Sequence, residues 1–218
     1  MLGGAFDGDT TLAELLEHGD LGLGTLDGID GELIVVDGQA WQALVDATLV
    51  RPDLSQKTPY AVVVPFHAGP PVELHGPFRF DELDARLGAA GEVVATDAIR
   101  VDGRFDEIHV RSVPRQTPPY PHLAEVIGQQ QVTVLRDVEG TMVGFRFPDP
   151  LGGVEMAGWH LHFATGDRTR GGHVLSFVLR EAVAVLDPVS TLHVELPPGV
   201  EAPTAAADED ELRRLETD

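Results

Sequence analysis

The pattern of apolar and polar positions along this chain is strand-dominated, with a few stretches at helical spacing. GELIVVDGQAWQALV holds a β-branched apolar run, the dipeptide Asp37-Gly38 and a second apolar run, which predicts a β-hairpin closed by a tight turn. TPYAVVVPF predicts a buried strand. From Ala98 onward AIRVDGRFDEIHVRSVP contains another Asp-Gly pair of turn type, and QVTVLRDVEGTMVGFRFP contains two strand-like runs around Glu139-Gly140. GWHLHFATG, GHVLSFVLREAVAVL and TLHVELPP continue the series.

Two stretches have helical spacing. DTTLAELLEHGD offers Asp9 or Thr10 as N-cap, Leu12, Leu15 and Leu16 on one face, and Gly19 as its end. FDELDARLGAAG has Asp81 as cap, Leu83 and Leu87 on one face, and glycine at its C-terminal end. Few helices among many strands, with no repeat of fixed period, predict an α+β or mixed α/β, strand-rich architecture rather than a doubly wound sheet.

The proline-bearing VPRQTPPYPHL marks a division. It separates an N-terminal mixed β-sheet part, 1–115, from a C-terminal β-rich part, 116–200, that carries the clustered histidines. Residues 201–218 form an acidic, alanine-rich tail of solvated composition. Leu212 and Leu215, three apart, would share one face of a last helical turn and let the end of the tail dock.

Composition narrows the function. A 218-residue chain with 43% hydrophobic residues can bury a sizeable core as one large domain or two small ones. Its 15 Lys and Arg against 36 Asp and Glu give a net charge of −21, which repels phosphate backbones and anionic membranes. Nucleic acid and membrane are therefore not expected as partners, whereas a small anionic substrate is compatible with a locally positive pocket. MLGGAFDGDT lacks the basic residues and apolar core of a secretory signal, and no apolar run approaches the roughly 20 residues that span a bilayer, so a cytoplasmic location is expected. Without cysteine, a transition metal would have to use histidine, carboxylate or solvent. Neither a GxxxxGK[ST] phosphate loop nor a GxSxG nucleophile elbow occurs.

Three of nine histidines lie in GWHLHFATGDRTRGGHV. Side chains of a strand alternate, so Trp159, Leu161 and Phe163 share one face and His160 and His162 the other. A hairpin through ATGDRTRGG returns His173 beside them. Three imidazoles with open space opposite form a set of the kind that holds catalytic zinc; the plainer alternative is three hydrogen-bonded polar residues. Arg111 lies on the face opposite Ile108 and Val110, where a solvated arginine is the ordinary expectation. Glu32 shares parity with Ile34 and Val36, and if that face is buried its carboxylate needs a partner.

Taken together, DGELIVVDGQAW, VRSVPRQTPPYPHLAEV, GTMVGFRFP and GWHLHFATGDRTRGGHVL resemble acetolactate decarboxylases, from about Thr25 to about Leu186. The resemblance implies two sheets or subdomains flanking a zinc site, usually in a homodimer. It implies conversion of (S)-2-acetolactate to (R)-acetoin and carbon dioxide through a metal-stabilised enediolate, a step of acetoin and butanediol formation. The family also accepts the opposite enantiomer after a carboxylate migration. By the same resemblance His160, His162 and His173 match the ligands of one zinc ion per chain, Glu32 and Arg111 match catalytic residues, and Thr25 lies on the substrate side. A glutamate near the C-terminus matches Glu216, with Glu211 second. Neither thiamine diphosphate nor pyridoxal phosphate is expected, because a β-keto acid carries its own electron sink. Two competing readings are a non-enzymatic metal- or small-molecule-binding β protein, which would close the site with a fourth protein ligand, and a zinc hydrolase in which Glu32 activates water.

Overall fold

Fifteen elements and one 3-10 turn follow from this pattern in a computed structural model that describes residues 5–88, 96–148, 157–191 and 193. In order they are β1 (Thr10–Thr11), α1 (Leu12–Leu16), β2 (Leu21–Thr25), β3 (Glu32–Val36), β4 (Gln39–Ala43), β5 (Leu49–Val50), β6 (Lys57–Thr58), β7 (Tyr60–Val64) and β8 (Val72–Arg79). The 3-10 turn Phe80–Glu82 and α2 (Leu83–Arg86) come next. Then follow β9 (Thr96–Ser112), α3 (Leu123–Ile127), β10 (Gln131–Phe147), β11 (Gly158–Thr165) and β12 (Gly171–Val189). The molecule is strand-rich, as its pattern predicts, and no helix among the described residues is long and apolar enough to cross a membrane.

The first sheet has the order β5-β4-β3-β2-β7. Its expected hairpin is present: Val36 pairs with Gln39, and Asp37 and Gly38 take φ of 53° and 67°, the pair of left-handed residues that a tight hairpin turn needs. Alternation then divides the sheet. Leu33 and Val35 pack on Leu12 and Leu15 of α1, while Leu21, Leu23, Ile34 and Val36 point the other way, at Val143, Phe145 and Ala164. The strand of TPYAVVVPF is half-buried throughout rather than buried, because β7 is the edge of this sheet.

The second sheet has the order β11-β10-β9-β12-β8, and β11 also pairs with β12, so β9 to β12 close on themselves at one end. Phe105, Met142, Leu161, Phe163, Phe177 and Leu179 fill the interior of that closure. Edge-to-face contacts hold the rings, with Phe105 and Phe163 centroids 5.2 Å apart.

Several boundaries differ from expectation for identifiable reasons. The N-cap of α1 is Thr11 and not Asp9 or Thr10, since Glu14 stands three residues on: Thr11 Oγ1 accepts from the Glu14 amide at 3.2 Å and Glu14 accepts from the Thr11 amide at 2.8 Å. Asp81 does not cap α2; it lies inside the preceding 3-10 turn, and Glu82 is the residue that enters the helix. Asp102-Gly103 is no turn but the middle of β9. A Cβ on Gly103 would meet the Ala182 Cβ at 2.3 Å, so this glycine serves close strand approach. The two runs around Glu139-Gly140 form one strand, β10. The division near residue 115 falls between β9 and α3, yet β8 and β9 before it and β10 to β12 after it share one sheet. Most of TLHVELPP, and the tail with Glu211, Leu212, Leu215 and Glu216, lie outside the described residues.

Candidate active site

The two sheets face each other, and the polar residues of interest converge between them. In β11 His160 and His162 point away from Leu161 and Phe163, which belong to the interior core. The turn after Thr165 brings β12 back with His173 directly opposite His162. The ladder continues: His173 pairs with Arg111 of β9, so His162, His173 and Arg111 form one cross-strand row on one face. From the first sheet, Glu32 on β3 is flanked in register by Thr25 on β2, which in turn pairs with Tyr60 on β7. These three share the face of Ile34 and Leu23, which looks toward the histidines.

The donor atoms of His160, His162 and His173 all lie within 4.8 Å of one another, and among the described residues this is the one such group. His162 and His173 are buried and His160 half-buried. His162 Nδ1 lies 2.8 Å from the Leu33 carbonyl oxygen, so Nδ1 carries the proton and donates, which leaves Nε2 as the bare lone pair. That Nε2 is buried and has no hydrogen-bond partner. Burial drives the pKa of His162 well below the usual imidazole range, helped by His160 and Arg111. His160 is pressed down to about 3 by burial and then by Arg111. Both rings are therefore neutral at physiological pH, the form that ligates metal.

Glu32 is buried, which meets the condition set by its parity. Its Oε1 is 3.8 Å from Arg111 Nη1 and its Oε2 is 3.6 Å from His162 Nε2. Arg111 is also buried, so the expectation of a solvated arginine does not hold. Buried guanidinium and carboxylate so close offset each other's desolvation. Thr25 is buried and its hydroxyl donates to the Gly31 carbonyl at 2.6 Å, holding the turn from which Glu32 departs. Gly31 has φ of 72°, and a Cβ there would meet the Ala43 carbonyl oxygen at 2.1 Å, so the turn admits only glycine. Ser112 Oγ donates to that same Ala43 carbonyl at 3.0 Å, tying the end of β9 to the first sheet next to Arg111.

Sequence reasoning missed Tyr60. Its ring lies 6.3 Å from that of His160 and within 7° of parallel, forming one wall of the site. Its parity with Val62 and Val64 was the available signal. Ser112, which stands in the quoted RSVP segment, was also passed over.

A cleft between two sheets lined by neutral imidazoles, a carboxylate and a guanidinium defines an enzyme with a site suited to a metal ion. Comparison with known proteins narrows that class: residues 1–204 match the family model for alpha-acetolactate decarboxylase. Similar proteins include the alpha-acetolactate decarboxylases of Methylococcus capsulatus, 42% identical over 198 residues, and of Klebsiella aerogenes, 38% identical over 201. Each of these alignments covers 90% of this chain and 76% of the relative. Among solved structures, alpha-acetolactate decarboxylase from Bacillus subtilis superposes with a TM-score of 0.92 at 27% identity, over 100% of this chain and 95% of that one. A Staphylococcus aureus protein described as similar to alpha-acetolactate decarboxylase gives 0.90 at 33% identity, over 99% and 95% of the two chains. The chain belongs to the alpha-acetolactate decarboxylase family. Membership of a decarboxylase family sets aside the non-enzymatic and hydrolase readings.

Proposed function

We propose that this chain converts (S)-2-acetolactate to (R)-acetoin and carbon dioxide, with one zinc ion held by His160, His162 and His173. The observation that carries the metal assignment is the state of His162: Nδ1 is committed to Leu33, and Nε2 is buried without a hydrogen bond among two further imidazoles. A backbone carbonyl on the second nitrogen is the usual device for orienting a ligating histidine. Three nitrogen donors in a chain without cysteine suit zinc, and a three-residue set leaves the open position of a catalytic site.

Bound there, zinc would supply Lewis acidity toward the ketone oxygen of the substrate. Acetolactate is a β-keto acid, so the electron pair freed when the bond to carboxylate breaks enters its own ketone, without thiamine diphosphate or pyridoxal phosphate. Arg111 holds the carboxylate and then the oxygen on which charge grows, using its planar fork. Glu32 governs delivery of a proton to the carbon that the carboxylate leaves, and delivery from one side sets the configuration of acetoin. One proton is taken up for each acetolactate anion consumed. Thr25 fixes the Glu32 turn and lines the substrate side. Glu216 is proposed as a second acid brought over the site by the end of the tail. A cytoplasmic homodimer completes the reading, on the resemblance alone.

The test is reconstitution. Chelator-stripped protein should form no acetoin, and about one equivalent of zinc per chain should restore turnover. His162→Ala should neither hold the ion nor recover. Full activity in the stripped protein, or zinc bound by His162→Ala at the parent level, would contradict the assignment.

A further inference from the structure

The inward-facing parity of the three long strands changes at one level. In β9 Val101 and Phe105 face the interior before that level, and Ile108 and Val110 after it. In β10 the change falls between Leu135 and Val138, and in β12 between Leu179 and Ala182; β12 changes a second time, away from this shared level, between Val174 and Phe177, where its register against β9 also shifts. Strict alternation forbids this unless a residue leaves the regular pleat. The residues at the change are Asp106, Asp137 and Arg180. Asp106 falls between the registered neighbours Phe105 and Glu107, Asp137 between Arg136 and Val138, and Arg180 between Leu179 and Glu181. Asp137 has φ of 49°, in the left-handed region. The same three residues are joined through their side chains: Arg180 Nε donates to Asp106 Oδ1 at 2.6 Å, and its Nη1 stands 2.9 Å from Asp137 Oδ1.

The consequence reaches the site. Arg111 has the same odd parity as Val101 and Phe105, and uninterrupted alternation would turn it into the interior. The change at Asp106 places it on the histidine face instead. We propose that Arg180, through Asp106 and Asp137, is a positioning residue that locks this change of parity and so presents Arg111 to the site. Its catalytic consequence rests on the proposed function, while the parity lock rests on the strands alone. An exposed ion pair contributes little by itself. Here one guanidinium spans three strands at the level where their ladders are interrupted.

Because the chain has no cysteine, one introduced thiol reports which way a strand faces. Val110 and Val101 are both fully buried, on either side of the level. In the zinc-loaded protein, the thiol of Val110→Cys should react with an aromatic disulfide reagent at least about ten-fold faster once Arg180→Glu is added, while that of Val101→Cys stays protected. Arg180→Met should act in the same direction. Adding Asp106→Arg to Arg180→Glu restores a pair of opposite sign and should return protection at 110. Acetoin formation should fall and recover in step, at unchanged zinc content. Unchanged protection of Val110→Cys overturns the proposal, and so does equal exposure of both thiols, which would mean general loosening. If the parent chain makes no acetoin the functional reading fails, and the thiol rates still decide the lock.

Discussion

The side chain on which most depends is Arg111. It is buried, 3.8 Å from Glu32, and one ladder position from His173. A guanidinium there matches a carboxylate with two parallel donors, whereas lysine keeps the charge and loses the fork. Arg111→Lys is expected to lower kcat/KM by roughly ten-fold or more, the scale of one lost charge-assisted contact, with zinc content unchanged. Steady-state kinetics beside metal analysis check this, and near-parent kinetics would remove Arg111 from the mechanism. Much of this residue-level picture was legible beforehand. The local alternation Ile108, Val110 against Arg111 placed the arginine on the correct face, and parity in GWHLHF separated the imidazoles from Leu161 and Phe163. What could not be read was the company Arg111 keeps. Glu32 lies 79 positions upstream in the numbering and meets it only because two sheets face each other.

At the scale of elements, turns decide which side chains reach the site. The turn between β2 and β3 launches Glu32 through Gly31, whose φ is 72° and whose missing Cβ leaves room for the Ala43 carbonyl. Gly31→Ala is expected to cost roughly 1–3 kcal/mol in stability, measured as a lower denaturant midpoint at unchanged slope. Activity should fall as well, since Glu32 is the next residue. An unchanged midpoint would mean that the turn relaxes without effort. Asp-Gly pairs illustrate why such turns are only partly legible. Asp37-Gly38 ends a short apolar run and forms the expected hairpin. Asp102-Gly103 has the same two residues, but Asp102 is taken up by Arg100 at 2.6 Å and by the Thr141 hydroxyl at 2.8 Å, and Gly103 lies against Ala182. Neighbouring strands, absent from any local window, override the turn preference.

For the whole molecule, the decisive feature is the convergence of two sheets on one polar cleft, each supplying what the other lacks. The second sheet brings three imidazoles and a guanidinium; the first brings a carboxylate at the start of β3 and the wall formed by Tyr60. Arg100 reaches from the second sheet to Asp37 of the β3–β4 hairpin at 2.6 Å, and the Leu49 amide donates to the Thr169 carbonyl at 2.9 Å, so the sheets are also tied at their rims. Against a net charge of −21, the zinc proposed at the histidines would add the local positive charge that a small anion needs. In the proposed reaction Glu32, held on the first sheet opposite the histidines of the second, should deliver its proton from one direction. The measurement that tests this most directly is chiral analysis of the product from (S)-2-acetolactate with the zinc-loaded chain. (R)-acetoin in clear excess, with one carbon dioxide released per molecule consumed, is the expected result; racemic acetoin at the rate of the uncatalysed reaction, or no acetoin, would overturn the proposed function.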